Sequence, residues 1–496
     1  MKKCIRINKK DNVAVALLPI NKGEIVEVED LKIKLKEDIK KGHKFTLELL
    51  GKNKDVIKYG MPIGHTLKDV EAGQWIHTHN LKTNLNDLDT YSYGDLEGVD
   101  LEGAKRKKVN VYLRKNNKIG IRNELWIIPT VGCVNGVGEN IIEEFKKRFD
   151  ISKVDGLNVF KHNYGCSQLG KDHITTRTTL QNIVTHPNAG GVLVLGLGCE
   201  NNQVKEFKET LGEFDKERVR FLIAQDSEDE IEEGVELLKE LYDKVISESR
   251  VEKEFGDLVV GLECGGSDGF SGITANPLVG EFSDYIVEHD GTTILTEVPE
   301  MFGAETLLMK RCINKDIFNK TVDMVNDFKK YFISYNQSIY ENPSPGNKEG
   351  GISTLEDKSL GCTQKSGISK VKDVLRYGEV VKSKGLVLLE APGNDLVATT
   401  ALGAAGAHIV LFTTGRGTPY GGFVPTIKIS TNTELAKKKP KWIDFDAGKL
   451  LDSNVTMKEL LDEFVDYIIE VVEGRKTNNE INNFKEIAIF KNGVTL

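Results

Sequence analysis

The 496-residue sequence has few cysteines, no long apolar run and no excess of basic residues. Its seven cysteines, an odd number, do not form the disulfide framework of a small secreted protein. No stretch of about 18 apolar residues predicts a transmembrane helix, and the charged opening MKKCIRINKKDN lacks the apolar segment of a signal peptide. The formal net charge of −8 argues against nucleic-acid binding. We therefore expect a cytoplasmic protein with free thiols, whose partner is neither a membrane nor a nucleic acid.

The composition is that of a globular protein, with 39% apolar residues, 29% charged residues and 48 glycines. Short β-type runs separated by turn sequences predict a small β-rich domain over residues 1–85. Residues 86–107 lack periodicity and are interpreted as a linker. Apolar runs then alternate with helical patterns, which predicts a parallel-sheet α/β middle domain over 108–250 and a larger α/β C-terminal domain over 251–496.

Three glycine–cysteine pairs follow three successive predicted strands of the middle domain, in PTVGCVNG, HNYGCSQ and GLGCENN. Parallel strands end at one edge of a sheet, so Cys133, Cys166 and Cys199 are expected to converge in the crevice where such sheets bind ligands. Thiolates suit soft metals, and the pattern predicts metal ligands. Core packing is the competing interpretation, because free cysteine is among the most buried residue types. Cys264 and Cys362 lie in similar loops of the C-terminal domain.

A pair of histidines in QWIHTHN provides a second candidate metal site. In a strand, His77 and His79 would point to the same side and could share a metal or bind a substrate oxygen. Exposed histidines without such a role are the alternative.

Glycine-rich polar loops, CGGSDGFSGITANP, PGND and TTGRGTPYGG, present backbone N–H groups suited to an anion. Neither a phosphate-binding P-loop nor a complete dinucleotide fingerprint is present. Ordinary turn glycines are the alternative. The side chains in these loops that suit a carboxylate with several hydroxyls are Ser267, Asp268, Asn276, Arg416 and Thr418.

Groups for acid–base chemistry follow in EVPEMFGAE and in TLEDKSLGCTQKSG. A lysine or histidine could serve as the base, and a carboxylate as an acid or a metal ligand. Lys358 is interpreted as surface charge, whereas Lys365 is embedded in a loop of glycine, cysteine and serine. The predicted catalytic residues are His162, Glu300 and Lys365.

Long motifs resemble the altronate and galactarate dehydratase family over nearly the whole chain. GQWIHTHN resembles the end of the family's N-terminal SAF domain. GIRNELWIIPT, GCSQ and GLGCENNQ resemble its middle domain, and within them Arg122 and Asn123 join the predicted substrate-binding set. CGGSDGFSGITANPLVG, LTEVPEMFGAE, TLEDKSLGC and LFTTGRGTPYGGFVPTIKISTN resemble its C-terminal domain.

The resemblance implies elimination of water from a sugar acid. Within the family, the length of the chain and its compact N-terminal domain favour D-altronate as the substrate and 2-dehydro-3-deoxy-D-gluconate as the product. It also implies a requirement for iron(II), with manganese(II) or another divalent metal as the alternative. Two segments, NVYLRKNNKIGIRN and KHNYGCSQ, depart from the family's usual pattern. The alternatives are a galactarate dehydratase, an enzyme like the sulfolactate sulfo-lyases, or a non-catalytic protein that binds a sugar acid or a metal. A homo-oligomer is left open.

Overall fold

A computed structural model describes almost the whole chain and confirms a mixed α/β fold with a β-rich N-terminal domain. No helix in the described part is long and apolar enough to cross a membrane. Five positions of the predicted linker lie outside the described residues. The described residues are 2–85, 88–94, 96–104, 107–115, 117–452 and 454–496.

The N-terminal domain consists of short strands that pair in antiparallel fashion. Alternating side chains bury one face of each hairpin, and Phe45 and Val26 lie in the resulting core. Gly73, with φ of +82°, lies against the backbone of Lys34, where a Cβ atom would overlap. The strands are β1 (Cys4–Ile5), β2 (Val13–Ala16), β3 (Ile25–Val28), β4 (Leu31–Lys34), β5 (Lys44–Thr46), β6 (Asp55–Lys58), β7 (Met61–Thr66), β8 (Trp75–Ile76) and β9 (Leu81–Lys82).

The middle domain contains a parallel sheet whose strands are joined by helices, as the alternating pattern predicts. Its strands are nearly continuous apolar runs because helices cover both faces. The elements are β10 (Lys108–Leu113), β11 (Ile119–Gly120), β12 (Glu124–Pro129), α1 (Asn135–Arg148), β13 (Leu157–Val159), α2 (Gly170–Val184), β14 (Ala189–Gly196), α3 (Val204–Thr210), β15 (Val219–Ile223), α4 (Glu230–Val245) and β16 (Val251–Glu254). The parallel order is β13-β12-β14-β15, and β10 pairs with β11 and β16 in a separate antiparallel sheet.

The C-terminal domain is built on a larger parallel sheet, in the order β19-β20-β18-β17-β21-β22-β23. The order reverses beside β17, and this is where open α/β sheets bind their ligands, at the carboxyl ends of the strands. The elements are β17 (Val259–Cys264), α5 (Ala275–Glu288), β18 (Thr292–Leu295), α6 (Glu305–Met309), α7 (Lys315–Ser334), α8 (Pro345–Glu349), α9 (Leu355–Cys362), β19 (Val371–Leu375), β20 (Gly385–Leu389), α10 (Asp395–Ala404), β21 (Ile409–Thr414), β22 (Thr426–Ser430), α11 (Thr433–Lys438), β23 (Phe445–Asp446), α12 (Met457–Val472) and α13 (Asn478–Ile481).

A buried ion cluster joins the N-terminal domain to α9. Asp357 accepts hydrogen bonds from Lys44 Nζ at 2.8 Å and from Lys58 Nζ at 2.9 Å. Burial alone would raise the pKa of Asp357, but the two lysines hold it well below its ordinary range. Burial lowers the pKa of Lys44 to about 8 despite this partner. The N-terminal domain therefore fixes the position of α9 through charge as well as through apolar contact.

Candidate active site

The carboxyl edge of the C-terminal sheet holds a buried cluster of thiols, carboxyls and amines. Cys264 ends β17, and Cys362 ends α9. Their Sγ atoms lie 3.3 Å apart, and both thiols donate to Oε2 of Glu300, at 3.1 and 3.2 Å. The hydrogen bond with Cys362, together with burial, raises the pKa of Cys264. These three side chains place two sulfurs and one carboxylate oxygen around a common point.

Two lysines complete the charge balance of this cluster. Lys358 Nζ lies 2.5 Å from Oε1 of Glu300, and Lys365 Nζ lies 3.2 Å from Oε2 of Glu297. Burial lowers the pKa of each lysine, but the neighbouring carboxyls and thiols outweigh it, and the pKa of both is raised. Both side chains are therefore ammonium groups at neutral pH. The same lysines act against burial at Glu300, whose pKa is lowered.

A second group of carboxyls lies beside the first. One ligand oxygen each from Glu263, Glu297 and Asp395 lies within 4.8 Å of the other two. Burial, followed by the charge of Glu300, raises the pKa of Glu297 to about 8 and that of Asp395 to about 6. Within the described residues, Oε1 of Glu263 and Oε1 of Glu297 have no hydrogen-bond partner. A protonated carboxyl accounts for such an atom, and a bound polar molecule would also satisfy it.

The cluster opens towards the loop that precedes α10. Asp395 is half-buried, whereas Glu263 and Glu297 are fully buried. A Cβ atom on Gly265 would overlap the Asp395 carboxylate and would approach Phe412 Cζ to 2.5 Å. The glycine after Cys264 therefore allows Asp395 to reach the ends of the strands.

Comparison with known proteins follows the three domains. The description "Altronate/galactarate dehydratase SAF domain" matches residues 2–84, and "D-galactarate dehydratase/Altronate hydrolase, second domain" matches residues 111–246. "D-galactarate/Altronate dehydratase, C-terminal" matches residues 255–495. The chain belongs to the altronate/galactarate dehydratase family. As a member of this family it is a sugar-acid dehydratase, and its hydro-lyase chemistry requires acid and base groups of the kind described above.

Relatives within the altronate/galactarate dehydratase family match over the full length. The chain is 59% identical to the altronate dehydratase of Escherichia coli (strain K12), over 99% of both chains. It is 56% identical to the altronate dehydratase of Bacillus subtilis (strain 168), over 100% of both. Identity to the galactarate dehydratase (L-threo-forming) of Escherichia coli (strain K12) is 31%, over 95% of this chain and 93% of that one.

Two of the three predicted catalytic residues, Glu300 and Lys365, lie in the cluster of this dehydratase, but His162 does not. His162 is buried in the middle domain, where Nε2 donates to the Pro129 carbonyl at 2.8 Å and Nδ1 accepts from the Tyr164 N–H at 3.1 Å. Burial also lowers its pKa. Both ring nitrogens are thus occupied within the middle domain, and the catalytic role of His162 stays a prediction.

Arg122 joins the middle domain to the C-terminal domain, and Asn123 forms its hydrogen bonds within the middle domain. Arg122 is 1% exposed and forms an ion pair with Glu480, with Nε 2.7 Å from Oε1. Asn123 is buried and donates to the carbonyl of Val245, while its Oδ1 accepts from Arg114. The prediction of substrate binding is corrected for both, because their polar atoms are used inside the protein.

Two predicted substrate ligands in the glycine-rich loops form their hydrogen bonds within the protein. The side-chain NH2 of Asn276 donates to the carbonyl of Gly361 at 2.9 Å, and its Oδ1 accepts from Thr413 Oγ1 at 2.6 Å. The Asp268 carboxylate accepts from Thr431 and from the Phe270 N–H. The polar groups of Asn276 and Asp268 are thus hydrogen-bonded within the protein, and their direct contact with substrate stays a prediction.

The other three predicted substrate ligands remain candidates. Ser267 is buried, and its Oγ lacks a partner among the residues that the structure describes. Arg416 lies at the surface rim of the sheet edge, where its side chain is 45% exposed and its Nη2 lies 3.1 Å from Oε2 of Glu349. Thr418 is half-buried, and its Oγ1 accepts from the Tyr420 N–H at 3.4 Å.

The predicted metal ligands do not form one site. Strand β8 ends at Ile76, so His77 and His79 lie in a turn and do not share a face. His77 is buried, with Nδ1 2.9 Å from Ser353 Oγ, and burial lowers its pKa to about 4. His79 is exposed, and its ring packs on one side against Trp75, with the ring centroids 4.8 Å apart. The strand geometry predicted for this pair is therefore wrong, and among the described residues neither histidine belongs to a set of three close metal-ligand groups. The other predicted ligands, Cys133, Cys166 and Cys199, occupy the corresponding edge of the middle domain.

Sequence reasoning missed several members of the cluster. Lys358 is 7% exposed and ion-paired, so its interpretation as surface charge is wrong. Cys362 carried the same glycine–cysteine signal as the middle-domain cysteines, whereas Cys264 is followed by a glycine and preceded by Glu263. The PGND loop already contained Asp395. Glu263 lay hidden inside an apolar strand, where only the spatial neighbours reveal its role.

Proposed function

We propose that this chain eliminates water from D-altronate and forms 2-dehydro-3-deoxy-D-gluconate. The observation that carries the proposal is the buried cluster of two ammonium groups and four carboxyls in a chain 59% identical to a protein named altronate dehydratase. The much lower identity of 31% to the galactarate dehydratase favours altronate over galactarate. A C2 proton and the C3 hydroxyl leave as water, and the enol that remains tautomerises to the 2-keto-3-deoxy acid.

The residues of the cluster divide into roles that follow from their charge and position. Asp395 lies on the open side, and we assign it the removal of the C2 proton. The Lys365–Glu297 pair protonates the departing C3 hydroxyl, and Lys358 supplies positive charge where the substrate carboxylate gains electron density. Arg416, on the rim, binds that carboxylate through its planar guanidinium.

The family resemblance implies a divalent metal, and one set of donors in the cluster fits it. The Sγ atoms of Cys264 and Cys362 and one oxygen of Glu300 lie within 4.8 Å of one another. Mixed thiolate and carboxylate donors suit iron(II) better than magnesium, and binding would release the thiol protons. A metal held there would supply Lewis-acid stabilisation to the substrate carboxylate and hydroxyl. We propose this set in place of the histidine pair.

The remaining proposals concern the surroundings of the enzyme. Seven free cysteines fit a reducing compartment, and we propose the cytoplasm. We also propose that the partner is the small sugar acid alone. Light scattering on the same preparations gives the molar mass and so tests assembly into a homo-oligomer.

The experiment is a substrate panel with anaerobic iron(II), containing D-altronate, galactarate and sulfolactate. We expect 2-keto acid, detected as its semicarbazone, from D-altronate at a kcat/KM at least about tenfold above that for galactarate. Sulfite release from sulfolactate would replace the proposal by a sulfo-lyase. Binding of altronate without turnover would replace it by a non-catalytic protein.

A matched pair of lysine variants ties the activity to the cluster. Lys365→Met removes a buried ammonium group and should abolish turnover. Lys370→Met removes an exposed one, paired with Asp100, and should leave turnover unchanged. Equal activity in the two variants would refute the assigned role of Lys365.

A further inference from the structure

The middle domain carries a second group of reactive side chains, apart from the buried cluster. Cys133, Cys166 and Cys199 follow β12, β13 and β14, which are neighbours in the parallel sheet. All three are exposed, whereas the other four cysteines of the chain are buried. The order of the strands reverses at β12, and the three loops therefore lie at the ligand-binding edge of this sheet. Exposure of all three argues against core packing.

Hydrogen bonds hold the three loops together. The Gly132 N–H donates to the carbonyl of Tyr164 at 2.9 Å, which joins the first loop to the second. The Asn202 N–H donates to the carbonyl of Gly165 at 2.9 Å, which joins the third loop to the second. The Ser167 N–H donates to Asn201 Oδ1 at 2.7 Å across the same boundary. The thiols are thus presented from a rigid frame.

The glycine that precedes each cysteine is required by this frame. A Cβ atom on Gly132 would approach the carbonyl oxygen of His162 to 2.7 Å. Gly165 has φ of +98°, and its Cβ would overlap the carbonyl of Thr130. Gly198 has φ of +128°, and its Cβ would approach Gln225 Oε1 to 2.6 Å. At each of these three places the residue before an exposed thiol is a glycine, because a Cβ atom there would overlap a neighbouring group.

Buried polar atoms in the same loops lack partners. Gln168 and Asn202 are 3% and 1% exposed, and neither Gln168 Nε2 nor Asn202 Oδ1 has a partner within the described chain. Asn135 Oδ1, at the start of α1, also has no hydrogen-bond partner within the described chain. A polar group or ion bound beside these loops would satisfy such buried atoms. Gln225 Nε2 donates to Cys199 Sγ at 3.6 Å.

The three thiols do not lie as close together as one shared ion would require. A single ion with bonds of about 2.3 Å to sulfur holds its thiolates less than about 4 Å apart. Among the described residues, no set of three metal-ligand atoms within 4.8 Å includes these cysteines. A cluster in which each thiolate binds a different iron needs the wider spacing. The N-termini of α1 and α2 also begin beside Cys133 and Cys166, where the helix dipole favours a negative group.

We propose that Cys133, Cys166 and Cys199 hold an iron–sulfur cluster, built from ferrous iron, ferric iron and inorganic sulfide, in the middle domain. Three protein thiolates leave one iron of a cubane cluster open to an oxygen ligand. This site is separate from the metal proposed for Cys264, Glu300 and Cys362, and it stands whether or not the chain dehydrates altronate.

The test is anaerobic reconstitution of the full chain with equal amounts of ferrous and ferric iron and with sulfide, followed by removal of the unbound reagents. We expect about four iron atoms and about four acid-labile sulfides per chain, with the broad visible absorbance of sulfur-to-iron charge transfer. Each of Cys133→Ser, Cys166→Ser and Cys199→Ser should lower bound sulfide at least fivefold. Because these thiols are exposed, the melting temperature of the apo-protein should stay at the wild-type value.

The control is Cys4→Ala, which removes a buried thiol of the N-terminal domain and should leave bound sulfide at the wild-type level. Iron without sulfide in the wild type, lost in the same three variants, would overturn the cluster in favour of a single ion. Equal iron and sulfide in the wild type and in the three serine variants would overturn the site itself.

Discussion

The clearest quantitative test concerns Arg122, because the sequence predicts a substrate ligand and the structure shows a clamp between domains. Arg122 lies before β12, and its guanidinium contacts Glu480 at the start of α13 through Nε at 2.7 Å and Nη2 at 2.9 Å. It also donates to the carbonyls of Val471 and Arg475, both at 2.8 Å. Arg122→Met would leave the Glu480 carboxylate buried without its partner.

The magnitude follows from the pKa of Glu480. Burial raises it, but Arg122, helped by Lys485 and by the Thr477 N–H, outweighs burial and brings it from 4.5 to about 2. That difference corresponds to about 3 kcal/mol, and loss of one partner of a buried pair costs about 3–5 kcal/mol. The pKa is depressed in the folded state, so the contribution is complete above about pH 4.5 and disappears as pH falls towards about 2.

The assay is chemical denaturation of wild type and Arg122→Met across this pH range, with kinetics at neutral pH. We expect the stability difference at pH 7 to shrink as the solution is acidified, with KM within about twofold of wild type where the variant is folded. Arg475→Met, which removes an exposed arginine paired with Glu470, is the control and should cost less than about 1 kcal/mol. A stable Arg122→Met protein with KM raised about tenfold would refute the clamp and restore the substrate role.

Three further predictions concern the edge of the C-terminal sheet and the domain that covers it. Gly265→Ala should push the Asp395 carboxylate out of place and lower the kcat of the folded protein at least about tenfold, with some loss of stability because the added Cβ also meets the buried Phe412 ring; unchanged kcat would contradict this. Lys44→Met should destabilise the protein by about 3 kcal/mol in denaturation, because Asp357 keeps only Lys58 as its partner, and a loss below about 1 kcal/mol would count against the docking role. Arg416→Lys should lower kcat/KM at least about tenfold without unfolding, and wild-type kinetics would make Arg416 a rim residue with no part in binding.

The architecture could be predicted because it depends on local patterns. Apolar runs followed by helical periodicity specify parallel sheets, and the runs in the middle domain are buried strands such as β12 and β14. The same topology predicts where loops gather. Glu300 and Lys365 were found this way, since both follow apolar or glycine-rich segments that end at one edge.

The errors concern contacts between distant parts of the chain. Arg122 and Glu480 are separated by 358 positions, and an arginine looks the same in a sequence whether its partner is a substrate or a glutamate. Lys358 lies on α9, which is buried on every side, so no amphipathic pattern distinguishes it from a surface lysine. His77 and His79 were misplaced because β8 ends one residue before them, at Ile76.

The most direct test of the central claim is product formation from D-altronate by wild type and by Asp395→Asn, followed by proton NMR under anaerobic conditions with iron(II). Asp466→Asn, at an exposed carboxylate of α12, serves as the control. We predict that wild type and Asp466→Asn generate the C3 methylene signals of 2-dehydro-3-deoxy-D-gluconate, and that Asp395→Asn, folded to the wild-type melting temperature, generates them at least about a hundredfold more slowly. Turnover by Asp395→Asn at the wild-type rate would contradict an active site at the carboxyl edge of the C-terminal sheet.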